Sequence, residues 1–334
     1  MATYEPRIDL FERQVESILA QTEPAFVCIV SDDASSDTTY AEIERVCAGD
    51  RRIVVSRATT RQGFYRNFER ALSRVPPEVE YVALSDQDDV WYREKLAVLL
   101  VALRRPEVLL AYSDMQIVDG AGRVIAGSYW TDRRNNWTNL SSLLLVNTVT
   151  GAASLFRREL LKLALPFPSA TGTVFHDHWL AVLALSCGRI SFVPMPLHDY
   201  VQHGANVVGR HAPLPKELKG GLARALGRFL REPRLRARNT MRHARRYYED
   251  EVVPRRLLAA ELERRLGGRC SARQRRAIRR ISRLGSPGSV AWLLGRSARD
   301  IRGESETLGL ENQLIKGIVW SWLRRPPDPP LLLR

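Results

Sequence analysis

Three short apolar runs, Phe26-Val27-Cys28-Ile29-Val30, Ile53-Val54-Val55 and Tyr81-Val82-Ala83-Leu84, are spaced so that a helix-length stretch separates each from the next. Strands alternating with helices cannot pair as tight hairpins, so they line up side by side in a sheet with helices on its faces. Runs that are apolar throughout, rather than at every second residue, fit strands covered on both faces. The chain is therefore expected to be α/β, with a mostly parallel central sheet and flanking helices. The spacing of Ile8, Phe11, Val15, Ile18 and Leu19 predicts a helix before the first run, ended by Thr22-Glu23-Pro24. Further helices are expected after Asp37 to Val46, from Phe64 to Val75 behind Gly63, and from Glu94 to Leu103. Val108 to Asp114 reads as a strand that the turn Asp119-Gly120-Ala121-Gly122 folds back on Arg123 to Ala126. Trp137 to Val146 and Phe175 to Cys187 are expected as helices, Ala152 to Phe156 and Ile190 to Val193 as extended, with Pro194 and Pro196 closing the last.

Charge divides the chain. Up to Arg210 there are 22 Lys and Arg against 25 Asp and Glu; the remainder carries 29 against 12. We expect two parts: residues 1–210, an enzyme-like body, and residues 211–334, an Arg-rich helical region suited to an anionic partner. Arg234, Arg236, Arg238, Arg242, Arg245 and Arg246, then Arg273, Arg275, Arg276, Arg279, Arg280 and Arg283, give that region cationic faces, and Leu257, Leu258, Leu262 and Leu266 an apolar one. Basic amphipathic helices lie on anionic membranes; a solvated basic face buttressing the body is the alternative of equal weight. A nucleic-acid module is ranked well below, because it leaves the acidic loops unexplained. Cys28, Cys47, Cys187 and Cys270 lack CxxC spacing, and no signal peptide is seen, so free thiols in a reducing, cytoplasmic setting are expected. No apolar stretch reaches the roughly 18 residues of a membrane span.

The chemistry concentrates in Ser85-Asp86-Gln87-Asp88-Asp89, at the end of the third apolar run. Carboxylates this close repel one another unless a cation intervenes, and hard divalent ions such as Mg²⁺ or Mn²⁺ take one or two carboxylates plus substrate phosphates. A solvated acidic turn, with Asp89 capping the next helix, is the competing reading. Asp32 and Asp33, after the first run, and Asp177, at the start of a helix, have capping readings of their own. Gly63 and Asn67 fit turn and helix-start roles, and Trp91 the core.

Taken in order, Ala2-Thr3-Tyr4, Glu16-Ser17-Ile18-Leu19-Ala20-Gln21-Thr22, Ser31-Asp32-Asp33, Leu84-Ser85-Asp86-Gln87-Asp88-Asp89-Val90-Trp91, His176-Asp177-His178-Trp179 and Gln202-His203-Gly204-Ala205-Asn206-Val207-Val208-Gly209 resemble an inverting family 2 glycosyltransferase of the GT-A fold, of the bacterial rhamnosyltransferase type. The resemblance implies a nucleotide-diphosphate sugar donor, a glycan or lipid-linked acceptor, a divalent metal (Mn or Mg), and work at the inner face of the cytoplasmic membrane in surface polysaccharide assembly. It implies that Thr3, Tyr4, Asp32 and Asp33 hold the nucleoside, that Asp86 faces ribose or sugar, that Asp88 and His203 bind the metal, and that Asp177 is the catalytic base. No nucleic acid is expected as a partner. A sugar-nucleotide binder without turnover is the alternative. Three departures stand out: His176 replaces a more usual glutamate, Glu5 replaces a more usual asparagine, and an apolar strand of about five residues is expected before Ala2, where Met1 stands. A mis-started or truncated chain, with a gap in its sheet, is the expectation drawn from the last.

Overall fold

The computed structural model describes residues 1–130, 135–169, 175–203, 241–300, 307 and 309–326. Strands β1 (Ala2–Thr3), β2 (Cys28–Asp32) and β3 (Ile53–Arg57) pair in parallel, with helices α1 (Ile8–Leu19), α2 (Asp37–Cys47) and α3 (Phe64–Leu72) between and after them. A second sheet has the order β4 (Tyr81–Ala83), β8 (Ser154–Arg157), β6 (Val108–Asp119), β9 (Arg189–Gln202), β5 (Val90–Trp91), and β7 (Val124–Ala126) forms the expected hairpin with β6. Helix α4 (Lys95–Ala102) precedes β6, while α5 (Leu140–Leu145), α6 (Leu161–Ala164) and α7 (His176–Cys187) line the same layer.

The α/β class holds, and the parallel pairing is partial. In the second sheet only β6 with β9 runs parallel; β4–β8, β6–β8 and β5–β9 are antiparallel. The strand–helix alternation that argued for parallel pairing stops after α4, and the longer connections beyond it let strands return in either direction. The first apolar run also shifts: its strand starts at Cys28, leaving Val27 exposed, and Val54 on the edge strand β3 is half exposed. Pro194 and Pro196 do not end β9. The register advances from Ser113 opposite Val193 to Asp114 opposite Pro196, so Pro194 and Met195 fall in a bulge where a missing N–H breaks no ladder.

Although short, β1 is tied on both sides. Ala2 lies opposite Ser31 and Thr3 opposite Asp32, the Met1 ammonium donates to Ile29 O (2.8 Å), and Ala2 N–H donates to Ser85 O (3.3 Å) beyond β4. Asn67 on α3 fastens it further, donating to Thr3 O (3.1 Å) and Ser31 O (2.7 Å). All strand ends that carry the acidic motifs thus meet at one edge.

The Arg-rich region is helical: α8 (Val253–Leu266), entered through a π turn at Tyr248–Val252, then α9 (Ala272–Ser282), α10 (Pro287–Asp300) and α11 (Leu310–Arg324). Its junction with the body, including the boundary expected near Arg210, lies outside the described residues, as do Arg234, Arg236 and Arg238. Leu258, Leu262 and Leu266 of α8 and Ile278 and Ile281 of α9 are buried in the same cluster as Leu143 and Leu144 of α5 and Leu180 to Leu185 of α7. Arginines reinforce the joint: Arg255 Nε donates to Leu145 O (2.6 Å), Arg265 to Leu163 O (2.8 Å) and Pro166 O (2.6 Å), and Arg296 to Ser142 Oγ (2.9 Å). Gly317 of α11 passes so near the π turn that a Cβ would lie 2.8 Å from Tyr248 N. Part of the positive charge therefore cements this region to the body, while Arg273, Arg275, Arg276, Arg279, Arg280 and Arg283 along α9 stay exposed. Among the described residues no helix is long and apolar enough to cross a membrane, and the four cysteines form no disulfide.

Candidate active site

At the carboxyl edge of the sheet, β1 delivers Thr3 and Tyr4 against the acidic loop. Gln87 Oε1 accepts from both Thr3 Oγ1 (2.9 Å) and Tyr4 N–H (2.9 Å), so the middle residue of the loop fixes it to β1. The Tyr4 ring lies 3.9 Å beneath the Arg61 guanidinium. Asp32 and Asp33, expected as nucleoside ligands, sit at the end of β2 with their carboxylates engaged by backbone. Asp32 accepts from Ser35 N–H (2.9 Å) and Ser35 Oγ (2.5 Å), and Asp33 from Gln62 N–H (2.9 Å) and Gly63 N–H (2.7 Å). Neither caps α2; Ser36 does, accepting from Thr39 N–H. Their observed work is to shape the loops after β2 and before α3, where Gly63 adopts φ 87°. Glu5 takes a role its position did not suggest: its carboxylate accepts from Ser36 N–H (2.6 Å) and Thr39 Oγ1 (2.7 Å) at the start of α2, which holds its pKa below the ordinary value.

Asp86, Asp88 and Asp89 point three ways. Asp86 faces the site, and desolvation, helped by repulsion from Asp88 and Asp177, pushes its pKa up to about 7. Asp88 Oδ2 meets His203 Nε2 at 2.7 Å, joining residues 115 positions apart. Asp89 is fully buried and caps no helix: its Oδ1 accepts from Val201 N–H (3.4 Å) and its Oδ2 lies 3.9 Å from His198 Nε2. Burial raises its pKa well above the carboxylate range. Val201 near the end of β9 and His203 just beyond it thus receive the two neighbouring carboxylates. Gly204 to Gly209 of the same motif lie outside the described residues.

Asp177 occupies the first turn of α7. Its Oδ1 accepts from His178 N–H (2.7 Å) and its Oδ2 from Gly151 N–H (3.3 Å), the latter in the 3-10 turn Gly151–Ala153. Desolvation raises its pKa to about 6, opposed by these bonds and by the Asn147 side chain. Its two flanking histidines are both buried and neutral. His176 stacks on Phe68 with ring centroids 3.7 Å apart, and burial alone pulls its pKa to about 3; His178 Nε2 meets Leu143 O at 2.6 Å. Histidine at 176 thus supplies packing where a glutamate would supply charge. A side chain in the turn would crowd its neighbours: a Cβ at Gly151 would lie 3.0 Å from His176 Nε2 and 3.3 Å from Asp177 Cβ.

Among the described residues no three His, Cys, Asp or Glu side chains converge on one point. Asp88 and His203 nevertheless form a paired oxygen and nitrogen donor set, both side chains mostly buried. Two protein ligands with substrate phosphates completing the shell is how Mg²⁺ and Mn²⁺ are commonly held, so the donor set fits such an ion. Residues the sequence did not single out include Gln87, Asn147, Gly151, Lys95 and His198. Gln87 was visible within the acidic loop, whereas the others carry no spacing signal.

The sequence profile "Glycosyl transferase family 2" matches residues 1–163. An uncharacterized glycosyltransferase of Nostoc is 27% identical over 206 residues, 58% of this chain and 61% of its own length. A dTDP-rhamnosyl transferase, RfbG, of Shigella flexneri is 32% identical over 99 residues, 29% of this chain and 34% of its own. The chain thus spans less than two thirds of either relative. In fold it is similar to the S. aureus TarS fragment 1-349 solved with UDP-GlcNAc, with TM-score 0.52 and 15% identity over 98% of this chain and 91% of that one. Residues 1–163, just under half of the chain, thus resemble glycosyltransferase family 2.

Proposed function

We propose that the protein transfers a sugar, with inversion, from a nucleotide-diphosphate donor to a hydroxyl of a glycan or lipid-linked acceptor. The observation that carries this is Asp177, a carboxylate raised to about 6, facing a metal-ready acidic loop across the sheet edge. A base accepting the acceptor's proton works best with a pKa near the working pH, and Asp177 lies there. As the hydroxyl oxygen bonds to the anomeric carbon, its proton passes to Asp177 and the nucleotide diphosphate leaves from the opposite face. Asp88 and His203 would hold a divalent ion, which when bound offsets charge on the leaving phosphates. Thr3, Tyr4 and the loops shaped by Asp32 and Asp33 surround the nucleoside; Asp86 approaches ribose or sugar.

Among donors, a deoxythymidine-diphosphate rhamnose is the first choice, supported by the match to the rhamnosyl transferase RfbG. The exposed arginines of α9 suit an anionic membrane at the cytoplasmic inner face, where a lipid-linked acceptor resides. Because Ile278 and Ile281 are buried in the core, that contact is electrostatic and not an inserted apolar face. Calorimetric titration of UDP and dTDP, with and without Mn²⁺, followed by turnover with the corresponding sugars, tests the reading. Metal-dependent binding with transfer is expected; binding without transfer leaves a sugar-nucleotide binder, and the absence of both binding and transfer overturns the proposal.

A further inference from the structure

Lys95 opens α4 beneath the acidic loop and is fully buried. Its ammonium donates to Ala152 O (2.5 Å) and lies 4.1 Å from the centre of the Trp91 ring. Burying a lysine without a carboxylate in hydrogen-bond contact is costly, since desolvation penalises the charge. Here burial lowers its pKa to about 7, with Asp89 and Asp86 opposing. A leucine or methionine would fill this space without that cost, so the ammonium calls for a functional explanation.

The explanation lies in its bond to Ala152. Ala152 belongs to the Gly151–Ala153 turn, and the Gly151 N–H of that turn donates to Asp177 Oδ2. Lys95 therefore holds from below the turn that holds Asp177 from above. It also places a positive charge between the loop that carries Asp86 and Asp88 and the turn that meets Asp177. We infer that Lys95 is a positioning residue: through Ala152 and Gly151 it sets the position of the Asp177 carboxylate relative to the acidic loop. This rests on Asp177 being the base. The charged and polar groups facing these residues are Asp86 and Asp89 from the loop, His198 from β9, His176 and His178 from α7, and Asn147 before the turn.

Lys95→Met, Lys95→Arg and Asp177→Asn, each in the full chain, are compared with wild type for donor KM, nucleotide Kd with Mn²⁺, kcat and its pH profile. The Met variant is expected to lose at least tenfold in kcat while nucleotide Kd stays within threefold. Its acid limb should move to higher pH, because the lost Gly151 donation favours the protonated carboxyl. The Arg variant, which keeps charge and donors, should recover part of kcat. A Lys95→Met enzyme with unchanged kcat and pH profile overturns the proposal, as does one whose nucleotide affinity and kcat fall together, which is what a merely structural lysine gives. If Lys95→Met does not fold, Gly151→Ala displaces the same turn without touching Lys95 and should reproduce the kcat loss and limb shift; an unmoved limb overturns the proposal equally. Asp177→Asn retaining activity overturns the reading of the base instead.

Discussion

Replacing Asp177 by Asn should make the protein more stable as it makes it inactive. The carboxyl titrates near 6 in the folded chain against 3.8 for the ordinary group. Because the folded state holds this proton more tightly, its contribution to stability is complete below pH 3.8 and is lost as pH rises through 6. Above that, the ionised carboxylate is a standing cost. At 1.36 kcal/mol per pH unit the gap corresponds to at most about 3 kcal/mol, and screening at this half-buried site brings the expected value to about 1–2 kcal/mol. Asparagine keeps an acceptor for the His178 or Gly151 N–H and removes the charge. Thermal melts at pH 7.5 should then rise by about 2–4 °C over wild type, and the gain should vanish at pH 4. Transfer assays on the same preparation should show kcat reduced by about 10²–10⁴-fold. A melt unchanged or lowered at pH 7.5 would refute the argument that burial, and not hydrogen bonding, governs this carboxyl. Wild-type kcat should decline tenfold per pH unit below about 6.

Other consequences are as direct. Asp88→Asn or His203→Ala should weaken metal-dependent nucleotide binding at least tenfold in calorimetry while leaving metal-free binding unchanged, since each removes one of two adjacent donors. Asp33→Ala strands the Gln62 and Gly63 N–H groups and should cost about 1–3 kcal/mol in urea unfolding, with weaker nucleotide binding as the loop loosens. Gly317→Ala should destabilise by about 1–3 kcal/mol, because α11 must move away from the π turn; a neutral result would place that packing in doubt.

Where the sequence was legible, local periodicity or a short motif sufficed. Helix α1 follows from its apolar spacing, and β4 with its acidic loop from one continuous stretch. The meeting of Asp88 with His203 was available only through resemblance, since nothing local links positions 115 apart. Prolines misled at β9, because a bulge hides their missing donors. Composition does not separate the arginines: Arg255, Arg265 and Arg296 look in sequence like the exposed ones, yet their partners are carbonyls and a hydroxyl on the body, which a residue count does not reveal. Lys95 was invisible for the opposite reason, a charged residue at a helix start being ordinarily solvated.

The shared core of α7 with α8 and α9 has a consequence for the order in which this chain acquires shape. Emerging from the ribosome at about 5–20 residues per second, the strands bearing Thr3, Asp33 and the acidic loop can settle against one another before the later helices exist. Helix α7 cannot, because its apolar surface is completed by residues made some 70–100 positions later. Donor-facing loops would therefore take form first, and the helix that carries Asp177 would lock last. On the proposed reading, a nascent chain of this kind would bind a nucleotide well before it could transfer a sugar.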